Sequence, residues 1–149
     1  MTGGFLLDTN AISATAPSRR SVPEPEKRAA RAWIVANGSR LFLPATALAE
    51  IAAGIGAREA SGATRHAAEL ATWLRTVLTA YPDRVLGLDA EAGLHARALT
   101  RAAREVGVTP GFADLTVACI ARAHGLVVAT RNLRGFAPMR VEAVDPFAS

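Results

Sequence analysis

Apolar and polar positions alternate along this chain between two periods. Short apolar runs of four or five residues predict strands at Gly4–Asp8, Arg40–Pro44, Arg84–Leu88, Leu126–Thr130 and Arg140–Val144. Leu126–Thr130 is apolar without interruption, the mark of a strand covered on both faces. Between these runs the apolar residues recur at helical spacing. Helices are expected at about Ala11–Ala14, Glu24–Ala36, Ala45–Gly54, Thr64–Leu78, Asp89–Glu105 and Phe112–His124. Ala30, Trp33 and Ile34 carry the second, Leu70, Trp73, Leu74, Val77 and Leu78 the fourth, and Leu94, Ala98, Leu99 and Ala102 the inner face of the fifth. Thr9 or Asn10 is placed to cap the first helix, Pro44 to enter the third, and Asp89 to cap the fifth. Gly54 and Gly56 loosen the end of the third. Ala16–Pro23 reads as a loop by its prolines, and Gly125 closes the last long helix.

Strand–helix alternation throughout predicts an α/β fold. The expected architecture is a three-layer α/β/α sandwich with a central, mainly parallel sheet. With 149 residues and no repeat, low-complexity tract or linker, residues 1–149 are expected to form a single domain.

Composition narrows the function. Net charge is +4 with a pI near 10.5, and Lys27 is the only lysine, so the basic side is arginine. That balance suits an anionic partner such as nucleic acid, although arginine enrichment also follows genomic base composition. Aromatics are only 5%, so stacking platforms for bases are sparse. The single cysteine, Cys119, excludes an internal disulfide framework and a cysteine-rich zinc site, and its apolar setting predicts a buried, inert thiol. No window approaches the length of a membrane span, and Phe5–Leu7 is too short for a signal-peptide core, so a soluble, cytoplasmic protein is expected.

Ligands of parallel sheets bind beyond the carboxyl ends of the strands. Four polar positions stand there. Asp8 ends the first strand; it either caps a helix or meets a partner or metal. Glu50 is the only charge in the small-residue helix after the second strand, close to the face marked by Leu48, Ile51 and Ile55. Asp114 lies in the first turn of its helix, where it also complements the helix dipole. Thr130-Arg131-Asn132 follows the buried strand, where a turn is the plainer reading. These three carboxylates and an amide are expected to converge on one rim, where the like charges are unstable together without a cation. Their all-oxygen chemistry favours Mg²⁺ or Mn²⁺, which lowers the pKa of a bound water and neutralises a phosphate under attack. Arg131 and Arg134 flank this rim as candidate phosphate contacts.

Leu6-Leu7-Asp8-Thr9-Asn10, Ala49-Glu50-Ile51 with Gly54, Ala113-Asp114-Leu115 with Ala121, and His124-Gly125-Leu126 followed by Ala129-Thr130-Arg131-Asn132 resemble the PIN-domain family. Within it they are similar to the VapC-like toxins of type II toxin–antitoxin systems, in order and over nearly the whole chain. Val144-Asp145-Pro146-Phe147 resembles the family's terminal Asn-Pro motif. The resemblance implies Mg²⁺- or Mn²⁺-dependent hydrolysis of RNA phosphodiester bonds by a homodimer that a cognate antitoxin silences. It implies that Asp8, Glu50 and Asp114 form the metal cluster, with Thr130 and Asn132 assisting as catalytic residues. Asp8 and Asp114 would hold the cation, and Glu50 would orient or deprotonate the attacking water, leaving a 3′-hydroxyl and a 5′-phosphate. The chain departs from the pattern at Gly135, where a further acid is often found. Three carboxylates put a tightly held second metal in doubt.

Other chemistries fit less well. An aspartyl-nucleophile phosphatase needs a second aspartate where this chain has Asn10, and a phosphate-receiving signalling domain needs a late lysine. Nothing matches a glycine-rich phosphate loop. His66, His95 and His124 show no metal spacing and are expected at helix surfaces or ends. The rival reading is a catalytically silent PIN-like module that binds RNA or a regulatory partner, favoured only by Gly135. The RNA target is not legible.

Overall fold

The computed structural model describes residues 3–18 and 24–148. Positions 19–23, in the expected loop after Ala16, lie outside the described residues, as do Met1, Thr2 and Ser149. Five short strands, β1 (Phe5–Leu7), β2 (Leu41–Pro44), β3 (Val85–Leu86), β4 (Val127–Ala129) and β5 (Ala143–Val144), form one sheet in the order β3-β2-β1-β4-β5. All four pairings are parallel. Helices α1 (Thr9–Ser13), α2 (Pro25–Ala36), α3 (Ala45–Ala60), α4 (Thr64–Ala80), α5 (Ala90–Leu94), α6 (Ala96–Glu105), α7 (Phe112–His124) and α8 (Leu133–Phe136) complete the chain. This is the three-layer parallel α/β/α arrangement that the alternation of elements predicts.

The period of two along each strand divides the core. Leu7, Leu41, Leu43 and Ala129 face a cluster with Ile12, Ala30, Ile34, Ile51, Ile55 and Leu70 from α1–α4. Leu6 and Val128, their strand neighbours, face a second cluster with Leu99, Val117, Ile120, Phe136 and Met139 from α6–α8 and the turn after them. β1 lies at the centre because its residues are needed on both faces. β3 and β5 are edge strands of two residues each, shorter than the five-residue runs expected, because an edge strand has a hydrogen-bonding neighbour on one side only.

Three helices differ from their expected form. α3 runs through Gly54 and Gly56 to Ala60. Each glycine costs roughly 1 kcal/mol of helix propensity, but Ile55 between them is buried in the cluster that α4 completes. The single helix expected at Asp89–Glu105 is broken at His95 into α5 and α6. Its buried face is Ala92, Leu99 and Ala103, while Leu94 is 80% exposed and Ala98 is also exposed. The break rotates the second segment, so a single periodic stripe did not hold. α8, with four residues, is too short to leave a periodic signal in the sequence.

Leu78, expected on the inner face of the fourth helix, is 43% exposed, whereas other local expectations hold. Asp89 Oδ1 accepts from Ala92 N at 2.9 Å and caps α5. Gly125 closes α7 in the left-handed region at φ 64°. Cys119 is 2% exposed, and burial pushes its thiol pKa up. Among the described residues, no helix is long and apolar enough to cross a membrane.

Candidate active site

The chain leaves β1 toward β2 on one side of the sheet and leaves β4 toward β5 on the other. β1 and β4 are neighbours, so their carboxyl ends form a topological switch point, where open parallel sheets leave a crevice. Leu7 pairs with Ala129 in register, which places the next residues, Asp8 and Thr130, side by side. Asp8 N donates to Ala129 O at 2.9 Å and locks that rung.

Asp8 is 6% exposed. Of the residues able to cap α1, Asp8 rather than Thr9 or Asn10 does so: its Oδ1 accepts from Thr9 N at 2.9 Å. Its other oxygen, Oδ2, accepts from Thr130 Oγ1 at 2.8 Å. Thr130 is fully buried, and its hydroxyl is saturated. It donates to Asp8 and accepts from Asn10 Nδ2 at 3.2 Å and Asn132 N at 2.9 Å. Asn10 Oδ1 in turn accepts from Arg131 N at 3.0 Å. One side chain thus stitches the turn after β1 to the turn after β4.

Two helices bring the other acids. Glu50 is exposed on α3, and its Oε1 accepts from Thr9 Oγ1 at 2.9 Å. Asp114 lies in the first turn of α7, and its Oδ2 accepts from Asn132 Nδ2 at 3.2 Å. The hydroxyls of Thr46 on α3 and Thr116 on α7 are 3.1 Å apart and join the starts of these helices. Burial, and then the charges of Asp8 and Glu50, raise the Asp114 pKa above its ordinary value. The three carboxylates therefore share one field. Among the described residues none of them forms an ion pair, although Glu26 and Glu105 do, with Arg131 and Arg140.

Every donor around these acids is neutral: a hydroxyl, an amide or a backbone N–H. A carboxylate has about four lone-pair positions, so each retains capacity for a further ligand. Oxygen donors of this kind suit a hard divalent cation. Among the described residues no group of three His, Cys, Asp or Glu side chains is gathered closely enough to hold a metal ion alone. The set matches Mg²⁺ in its usual form, held by one or two carboxylates with its remaining positions taken by water and phosphate oxygens.

Gly135 has a visible consequence here. A Cβ at this position would collide with Asn132 Nδ2 and Asp114 Oδ2. The missing side chain leaves room for the Asn132–Asp114 hydrogen bond, so the amide stands where a further acid would project.

The two candidate arginines part company. The Arg131 guanidinium turns to Glu26 Oε2 at 2.7 Å and stacks over Phe147 at 4.1 Å, away from the carboxylates. Its backbone N–H is the part that serves the site. Arg134 is exposed and has no side-chain partner among the described residues. Thr9 and Asn10, expected as caps, instead bind Glu50 and Thr130. Their position inside Leu6–Asn10, next to the first acid, was the available signal for the roles they have.

The profile of the PIN domain matches residues 5–140. The chain belongs to the PIN-domain family. It is similar to the VapC ribonuclease Y4jK of Sinorhizobium fredii, with 34% identity over 144 residues that span 96% of this chain and 97% of that protein. It is 31% identical over 153 aligned positions to the plasmid stability protein StbB of Pseudomonas syringae pv. tomato, covering 96% of this chain and 98% of that one. The crystal structure of FitAcB from Neisseria gonorrhoeae superposes with a TM-score of 0.81 at 25% identity, over 97% of this chain and 99% of that one. This PIN-domain chain is therefore of the VapC-like kind.

Proposed function

We propose that this protein is a metal-dependent endoribonuclease, the toxin of a toxin–antitoxin pair, working as a homodimer restrained by a cognate antitoxin. One observation carries the catalytic part. In a chain with net charge +4, the charges of Asp8 and Glu50 act on Asp114, and none of the three carboxylates has a cationic partner among the described residues. Only Asp8 of the three is buried, and like charges placed together disfavour the ionised forms, so a bound cation would relieve the arrangement. RNA as substrate follows from membership of the PIN-domain family and the similarity to a VapC ribonuclease.

Mg²⁺ or Mn²⁺ bound there would neutralise the phosphate and lower the pKa of an attacking water. The protein's own groups divide the remaining work. Asp8 and Asp114 are the anchoring acids. Thr130 fixes Asp8 through its hydroxyl, and Asn132 fixes Asp114 through its amide. Glu50 is the exposed carboxylate, held by Thr9, with one oxygen left to orient or accept a proton from the water. Arg134 is free to meet a neighbouring phosphate.

Antitoxin-free protein incubated with total RNA and Mg²⁺ or Mn²⁺ tests this directly. Cleavage that disappears with EDTA and in Asp8→Ala is the expected result. Folded protein that cleaves no RNA with either metal would end the reading in favour of a silent RNA- or partner-binding module, whereas full activity in Asp8→Ala would overturn the assignment of the acidic site.

A further inference from the structure

Beside Glu50 lies a groove of about 450 Å³ between α1, α2, α3 and α4. Thr9 and Glu50 form part of its wall, so it opens from the candidate active site itself. Its volume falls within the roughly 300–1,000 Å³ typical of small-molecule sites, enough for one nucleotide unit.

The lining has two parts with different chemistry. Among the described lining residues, Lys27 and Arg58 supply fixed positive charge against the single acid Glu50, while His66 faces Glu69 with Nδ1 4.0 Å from Oε2. Neither Lys27 nor Arg58 meets a carboxylate among the described residues; Arg58 has only the carbonyl of Gly54, at 3.4 Å. Elsewhere Arg131 and Arg140 do pair with acids. The apolar part is Ile55, Leu70 and the ring of Trp73. Trp73 Nε1 donates to Thr15 Oγ1 at 3.1 Å, which sets the plane of the indole. Among the described residues, Trp73 is the only Phe, Tyr or Trp in the lining.

We infer that this groove seats the nucleotide next to the scissile phosphate of a single-stranded RNA, with Lys27 and Arg58 holding phosphate and Trp73 bounding the base. The inference rests on the ribonuclease reading above and adds where the strand runs. Charge complementarity selects a polyanion, and continuity with Glu50 places it beside the reacting centre. A single strand is required because bases in a duplex are stacked inward and cannot reach an aromatic wall.

The test is binding of a short, mixed-sequence, fluorescein-labelled single-stranded RNA, read by anisotropy in EDTA over a range of salt. Each phosphate contact on a single strand contributes roughly 0.7 to the slope of log affinity against log salt. The Lys27→Ala/Arg58→Ala double variant should bind roughly tenfold more weakly at low salt and lose about 1.4 from the slope. Arg97→Ala/Arg101→Ala, on exposed positions of α6, removes the same charge and should bind as the wild type. Trp73→Leu should weaken binding at least about fivefold with the slope unchanged.

Wild-type affinity and slope in the groove double variant would overturn the inference and leave the groove to a protein segment. An equal loss in the α6 variant, wild-type binding by Trp73→Leu, or no RNA binding by the wild type would also overturn it. The expected variant effects without any cleavage in Mg²⁺ would support the groove while ending the nuclease reading. Cleavage by a protein whose groove variants bind normally would do the reverse.

Discussion

At Asp114, burial and two neighbouring carboxylates act in the same direction on one side chain. Its pKa is raised, so the folded protein holds this proton to a higher pH than the unfolded chain does. The sign follows from linkage: stability from this group is present below its unfolded pKa and is lost as pH rises through the folded pKa. Desolvation is the largest cause, with Asp8 and then Glu50 behind it. Glu50→Gln should therefore lower the Asp114 pKa only part of the way toward its ordinary value. A carboxyl-carbon NMR titration of the metal-free protein would measure this, and no movement would mean that the two acids do not share a field. Gly135 makes a second prediction. Gly135→Ala should push Asn132 off Asp114 and remove a hydrogen bond worth about 1 kcal/mol. Thermal unfolding should show a lower midpoint, and Asn132→Ala should add little to it, since both changes remove the same bond.

Elements show how packing overrides local preference. α3 carries Gly54 and Gly56 and still runs from Ala45 to Ala60 because Ile51 and Ile55 are buried against α4 and the sheet. Gly56 is exposed, and a Cβ there would meet nothing within 4 Å. Gly56→Ala should therefore stabilise the protein by about 0.5–1 kcal/mol, read as a higher denaturant midpoint with RNA cleavage unchanged. Destabilisation would mean that the helix there is held in a form alanine cannot follow. α5 and α6 teach the opposite lesson. An apolar residue at helical spacing is evidence of a buried face only while the helix continues, and the break at His95 leaves Leu94 in solvent.

Over the whole molecule, the sheet order matters more than any one element. Because β1 and β4 are neighbours, residues 122 apart in the chain, Asp8 and Thr130, share a hydrogen bond. Burial and the charges of Asp8 and Glu50 disfavour the ionised form of Asp114 in the folded state, and on the proposed reading a bound cation would relieve this. Mg²⁺ that binds the folded form alone at about 100 times its Kd should add about 2.7 kcal/mol. The thermal midpoint should rise with Mg²⁺ in the wild type and much less in Asp8→Ala. An equal rise in both would place the cation elsewhere.

What the sequence determined by itself was whatever local periodicity and residue chemistry encode. The strand–helix alternation, the parallel class, the burial of Cys119 and the capping of α5 by Asp89 are of this kind. So is the choice of Asp8, Glu50 and Asp114 as acids that follow strands or open helices. Tertiary structure decided what depends on residues far apart. It set the strand order that gathers these acids, the continuation of α3 through two glycines, and the turning of Arg131 toward Glu26 and Phe147. It also set the use of Asn10 to tie Thr130 to the turn after β4, and the space at Gly135 that Asn132 shares with Asp114. Periodicity reports the environment of a residue along its own element, whereas a hydrogen bond between two turns depends on which strands are neighbours, and that is fixed only when both faces of β1 are buried.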